Sequence, residues 1–267
     1  MTSFTKFKVL LTATLIYFSG TGAGFCQDLP KDIATGVLEL RNYRLKPGKR
    51  DEFIAYFKAH FVASQNKAGS QILGIYRVKG ADNNFFWLRG FPSMAARSVY
   101  LPAFYYGPIW KTFGHGANDM LSNNDDVHLL KPLTWKANSP YSTEPVPINN
   151  DENNEGVTVV TFYTCNTKLD KMIDFVGKTY LPVFKTLNSR QVSFWISELA
   201  ENDFPKLPVF QDKDLMVSIA HYKNETEFKE ISGQILQAMT TAQKDEFDDI
   251  VTKTEVLILY PVKINPF

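Results

Sequence analysis

The stretch Glu39–Gly48, ELRNYRLKPG, decides how the chain folds. Apolar and polar residues alternate from Val37 to Leu45, the two-residue period of a strand with different faces. Lys46-Pro47-Gly48 then ends the strand and opens a helix that the apolar spacing predicts to about Gln65, with Gly69 closing it. The alternation separates Leu38 and Leu40 from Glu39, Arg41 and Tyr43. We expect the leucines to face the helices and the polar set to face the opposite side. In the third strand Phe86 and Leu88 form one set, and Trp87 and Arg89 the other.

Outward from this stretch, the chain repeats itself. Gly36-Val37 recurs as Gly156-Val157, and the helical positions Asp51, Phe53, Ile54 and Phe57 recur as Asp170, Met172, Ile173 and Val176. Ile72–Tyr76 corresponds to Val192–Ile196, and Asn84–Phe91 to Asp214–Tyr222. The last strands, Val127–Pro132 and Val256–Pro261, both close on proline. The hairpin loop Glu198–Asp212 is the main difference, being longer and proline-bearing in the second copy. Second helices are predicted in Ser93–Leu121, broken at Pro102 and Gly107-Pro108, and in Glu225–Lys253.

Each half therefore reads βαββαβ. Four strands with helices on one face leave the other face bare, and two such sheets can cover each other. The expected fold is α+β: two tandem ferredoxin-like units packed as an intrachain dimeric α/β barrel. The expected boundaries are a signal peptide at 1–26, a first domain at 34–134, a linker at 135–155 and a second domain at 156–267. The linker rests on Pro140, Pro145, Pro147 and two Asn-Asn pairs.

Lys6 and Lys8 before the apolar run Val9–Phe18, then the small residues of Ser19–Gly24, predict a secretion signal. The run is too short to span a bilayer, which takes about 20 apolar residues. We expect an exported protein, periplasmic or secreted, with no transmembrane segment once processed. Cys26 follows Phe25, where a lipid-accepting cysteine normally follows a small residue. If Cys26 leaves with the signal, Cys165 stands alone, and it reads as a half-buried thiol at a strand end. A formal charge of +1 and no basic stripe argue against a nucleic-acid partner.

LELRNYRLKPGKRDEF resembles the opening of the NIPSNAP family domain, a strand of E-L-R-x-Y type running through K-P-G into a helix. Ser93–Arg97 is similar to that family's S-L-A-E-R helix start, and Trp110 with Phe113 to its W-x-x-F pattern. The resemblance covers Val37–Pro132. In the second half Thr161 replaces the strand arginine and no proline-glycine pair precedes the helix. The resemblance implies a dimeric α/β barrel, a superfamily holding cofactor-free monooxygenases, haem enzymes and proteins without known activity. It implies no settled reaction.

The chemistry-bearing residues are few. His60, His115, His128 and His221 show no metal-ligand spacing. His115 and Asp119 are four apart, but Gly114 and Gly116 argue against a helix there. No nucleotide-binding or hydrolase motif follows a predicted strand, and no cofactor is expected. Glu39 with Arg41 reads either as a structural ion-pair network or as the polar floor of a cavity. Tyr100, Phe104, Tyr105, Tyr106, Trp110 and Phe113 read either as core filling or as the roof of an aromatic pocket. The candidate ligand-binding residues are Arg41, Tyr43, Trp87, Arg89, Tyr105, Tyr106, Trp110 and His115. Two functions follow: binding of a small ligand or partner, or a cofactor-independent oxygenase acting on a small aromatic substrate. The tandem halves predict an intrachain pseudo-dimer, and leave further homo-oligomerisation open.

Overall fold

A computed structural model describes residues 35–133, 156–186 and 192–264. The predicted signal segment, with Cys26, and the predicted linker at 135–155 lie outside the described residues. The first half runs β1 (Val37–Leu45), α1 (Arg50–Phe57), a π-helical turn (Lys58–Val62), α2 (Ala63–Ala68), β2 (Gln71–Val78) and β3 (Ala81–Phe91). It continues through α3 (Met94–Tyr105), α4 (Pro108–Met120), the short β4 (Leu121–Asn123) and β5 (Val127–Pro132). The second half runs β6 (Val157–Thr164), α5 (Leu169–Phe175), a π turn (Val176–Tyr180), α6 (Leu181–Thr186), β7 (Val192–Ser197) and β8 (Leu215–Tyr222). It ends with α7 (Glu225–Ala238), α8 (Thr241–Ile250) and β9 (Lys253–Pro261).

Lys46-Pro47-Gly48 does what its residue types dictate. Gly48 takes a left-handed φ of +75°, and the Lys49 N–H donates to the Lys46 carbonyl, turning the strand straight into α1. The helix then ends at Gly69, φ +109°, as the sequence predicts.

Eight strands close an antiparallel barrel. The order is β5-β1-β3-β2 in the first half and β9-β6-β8-β7 in the second, joined at the β2–β9 and β5–β7 seams. β4 pairs outside the ring with the end of β1. Closure leaves the eight barrel strands no free edge along the ring. Leu38, Leu40, Tyr76, Phe86, Leu88, Val160, Trp195 and Leu259 fill the barrel. Two further cores lie outside its wall, each under the helices of one half.

This packing reverses the expected orientation of β1. Leu38 and Leu40 point into the barrel, while Glu39, Arg41 and Tyr43 lie beneath the helices. Period-two alternation defines two faces without saying which one meets a helix. The helices decide it, because Gln65 and Arg97 supply partners for Arg89 and Glu39 on their side of the sheet.

Two helix boundaries also differ. Pro102 lies within α3, and the break falls at Tyr106-Gly107, with Pro108 in the first turn of α4. α4 runs through Gly114 and Gly116: a Cβ on Gly114 would lie 2.7 Å from the Trp110 ring, and one on Gly116 2.6 Å from the Tyr56 hydroxyl. These glycines make room for packed rings. In the second half the predicted Glu225–Lys253 helix is two, because Thr240 caps a new one with Gln243 in a capping box.

Candidate functional site

Beneath α2 and α3, Glu39 is the only buried carboxylate among the described residues, and Arg41, Arg89 and Arg97 are the only buried bases. All three arginines reach it. Arg41 Nη1 donates to Glu39 Oε2 at 2.7 Å, Arg89 Nε to the same oxygen at 2.8 Å, and Arg97 Nε to Oε1 at 2.8 Å. Ser93 caps α3 by accepting from the Ala96 N–H, which sets Arg97 in the first turn over the sheet. Burial alone would push the Glu39 carboxyl up, but Arg89, Arg41 and Arg97 outweigh it and hold it far below the usual carboxylate range. Arg89 behaves conversely: burial would lower it, and Glu39 with nearby tyrosines keeps it well above its ordinary value. Three guanidiniums thus surround one carboxylate.

The arginines reach further. Arg41 Nε donates to the Tyr43 hydroxyl at 2.9 Å, and its guanidinium lies over the Tyr43 and Trp87 rings. Arg89 Nη1 donates to Gln65 Oε1 at 2.9 Å and to the Tyr105 hydroxyl at 3.4 Å, and the Tyr100 hydroxyl donates to the same Gln65 oxygen at 2.9 Å. On the far side Arg97 Nη1 donates to Asn202 Oδ1 at 3.1 Å and lies 3.5 Å from Asp203.

Beside this network lies a cavity of about 50 Å³. Tyr43 and Trp87 form its floor, Phe53, Phe57, Phe61, Phe104, Tyr105 and Trp110 its walls, and Gln65 and Ala117 complete it. Asn118, Leu121, Asn124 and Leu207 stand at the mouth, where both asparagines are exposed. One water needs about 10–15 Å³ of such space, so the cavity exceeds a single water. Trp87 Nε1 is buried and has no hydrogen-bond partner among the described residues. Burial pushes the Tyr43 phenol above its ordinary value against the pull of Arg41, so the group stays neutral near pH 7.

The second half contributes to this site through the loop between β7 and β8. Its Phe204 ring packs 5.8 Å from Tyr105 and 5.9 Å from Tyr106, and its Leu207 reaches the mouth. Phe210 hydrogen-bonds along β5, its N–H to the Val127 carbonyl and its carbonyl from the Leu129 N–H. The corresponding β2–β3 connection is only Lys79-Gly80.

Of the residues singled out from sequence, Arg41, Tyr43, Trp87, Arg89, Tyr105 and Trp110 come together at or directly behind the cavity. The reversed face of β1 makes this convergence. Tyr106 is half exposed against Phe204 and Lys206, and His115 sits on the outer face of α4, 3.3 Å from Asp119. Sequence reasoning passed over Gln65, which continues the four-residue spacing Phe53, Phe57, Phe61 and so puts an amide on an apolar helix face. Nothing local marks Leu207, Asn118 or Asn124. Cys165 follows β6 fully buried, its thiol pushed up to about 11 by burial.

Residues 38–137 match the model of the NIPSNAP family, so this part of the chain is a NIPSNAP domain. No curated protein matches the chain in sequence. Among solved structures, a candidate monooxygenase from Lactobacillus acidophilus superposes with a TM-score of 0.56 at 13% identity, covering 85% of this chain and 94% of its own. An anthrone oxidase-like protein gives 0.54 at 12% identity, over 86% and 92%. A NIPSNAP domain protein from Burkholderia xenovorans aligns with 39% of this chain and 98% of its own, at 18% identity and a TM-score of 0.33. The two larger likenesses show a shared fold.

Proposed function

We propose that the NIPSNAP domain binds a small single-ring aromatic ligand in the cavity under α1, α3 and α4. The observation that carries this is a ring-walled space whose lining includes two polar side chains, Tyr43 and Gln65, held from behind by Arg41 and Arg89. Apolar walls with a few placed polar groups are the general form of a small-molecule site. In this reading the two halves are tandem ferredoxin-like units, and the chain pairs within itself as other barrels pair between chains. Half two completes the barrel and lends the loop over the mouth. The N-terminal lysines and apolar run support export, which N-terminal sequencing of the mature protein tests.

Ligand-observed NMR with toluene and phenol tests the binding. Both are expected to bind the wild type and to be displaced by Ala117→Phe, which places a ring in the cavity. Binding that survives Ala117→Phe in a folded variant removes the cavity as the site.

An oxygenase-like activity is the second reading, favoured by the same aromatic-walled space, where a substrate can be positioned. Its lining holds no carboxylate or histidine, and Tyr43 is a neutral phenol. The substrate would therefore have to ionise readily itself. A ring-activated CH₂ reacting with O₂ to give C=O and H₂O balances with the substrate as sole reductant. Oxygen uptake beyond the protein-free rate, abolished by Ala117→Phe, is the expected sign. Its absence across binding-competent phenols leaves binding as the function.

A further inference from the structure

The hydrogen bonds behind the cavity have a direction, and the direction selects a ligand. Arg41 Nε already donates to the Tyr43 oxygen, so the phenol hydrogen is free to point elsewhere. Arg89 and Tyr100 both donate to Gln65 Oε1, and no described residue takes a bond from the Gln65 amide NH₂. Arg89 likewise fills an acceptor position of Tyr105. The guanidiniums thus occupy acceptor sites of the floor and leave donors.

Charge points the same way. Three buried guanidiniums surround one buried carboxylate, and the further carboxylate on Arg97, Asp203, is 39% exposed at the edge. An uncompensated buried charge is costly, as is a buried donor without an acceptor. An anionic oxygen at the floor would answer both at once.

We propose that the ligand of this cavity is an aromatic ring bearing an anionic oxygen, a carboxylate or a phenolate, received by the Tyr43 hydroxyl and the Gln65 amide NH₂, the free donors of two lining residues. The proposal rests on the aromatic-ligand reading and goes beyond it by fixing the sign of the charge. Arg41 and Arg89 act as positioning residues: Arg41 holds the Tyr43 oxygen and Arg89 the Gln65 oxygen, which leaves the donor of each free. The two arginines hold the field positive there, as preorganised donors do in an oxyanion site.

The test compares matched probes on the full chain by NMR titration: benzoate, benzamide, benzylammonium and toluene. Benzoate is expected to bind at least about tenfold tighter than benzamide, and benzylammonium not to compete. A hydrogen bond to a charged group is worth about 1.5–3 kcal/mol, so Tyr43→Phe should weaken benzoate about tenfold or more while leaving toluene nearly unchanged. For the phenolate arm, 4-nitrophenol is titrated spectroscopically with excess protein, and its apparent pKa should fall by about one unit or more, the linkage equivalent of a tenfold preference. Preference for benzoate without that fall assigns a carboxylate; the fall without benzoate binding assigns a phenolate. Equal or better binding of benzamide or benzylammonium, with an unshifted or raised nitrophenol pKa, overturns the anion while toluene binding keeps the aromatic cavity. Failure of every probe, toluene included, removes both.

Discussion

The two halves of the barrel place their backbones in the same register and fill the same positions with opposite chemistry. In the first, Glu39 stands across from Arg89 and Arg41 across from Trp87. In the second, Val159 stands across from Ala220 and Thr161 across from Ser218. The helix after the third strand is capped by Ser93 in one and Asn224 in the other, and four residues on come Arg97 and Phe228. Half two builds a sound core under its helices with valine, alanine and phenylalanine. The fold therefore does not require the charges. Buried arginines and a buried glutamate are thus particular to half one, and this difference between the halves is the structural argument for a site there.

Removing Glu39 should break this contrast with the largest effect. Glu39→Val leaves three guanidiniums buried without their anion and is expected to cost about 3–5 kcal/mol in urea or thermal unfolding. The full exchange to the residues of half two, Glu39→Val, Arg41→Thr, Arg89→Ala and Arg97→Phe together, should cost less than the single change, because it removes the stranded charges with the anion. If the fourfold variant is the less stable one, the network is structural cement and the comparison loses its functional meaning.

Acid unfolding sharpens the same point. The Glu39 carboxyl is depressed in the folded chain from an ordinary 4.5. Its contribution is therefore fully present above that pH and is lost as the pH falls toward the lower folded value. Wild type should lose stability more steeply below about pH 4.5 than the fourfold variant, which keeps the surface carboxylates but lacks this one. Parallel curves would mean that Glu39 is not the ion the structure shows.

A third, smaller effect concerns the loop that half two sends across. Phe204 is buried between Tyr105 and Tyr106 on the first half. Phe204→Ala should cost about 3 kcal/mol, at the low end for a buried ring because part of the gap can refill with water. It should also speed ring-probe exchange at the mouth. A matching change in the short Lys79-Gly80 turn has no such reach.

What could be read from sequence follows from range. The strand–helix order and the closing prolines depend on local pattern, and Leu45-Lys46-Pro47-Gly48 sets its own turn. The facing of β1 depends on what α2 and α3 bring: Gln65, Arg97 and Tyr105 lie 24, 8 and 16 positions from Arg89 in the chain yet meet it or its partner Glu39 in space. The glycines of α4 mislead for a related reason, since their purpose is the Trp110 and Tyr56 rings. Leu207 and Phe204 carry no local mark at all.

The smallest effect comes from the turn that opens each half's first helix. Gly48 takes φ +75° without cost, but its counterpart in the second half, Thr167, sits at φ +66° after Asn166 at φ +42°. A β-branched residue in the left-handed region is strained, typically by about 1–3 kcal/mol, although a glycine gives back some of this as unfolded-state entropy. Thr167→Gly should therefore stabilise the chain by about 1 kcal/mol, and Gly48→Thr should destabilise it by a similar amount. Both variants leave the cavity unchanged, so toluene binding should hold constant while the unfolding midpoint moves in opposite directions. If Thr167→Gly destabilises, the turn of half two is held by contacts of its own side chain, and the two turns are not equivalents. If the signs come out as stated, the halves share one backbone plan to the level of a single dihedral angle. The charge cluster of half one is then an addition to that plan.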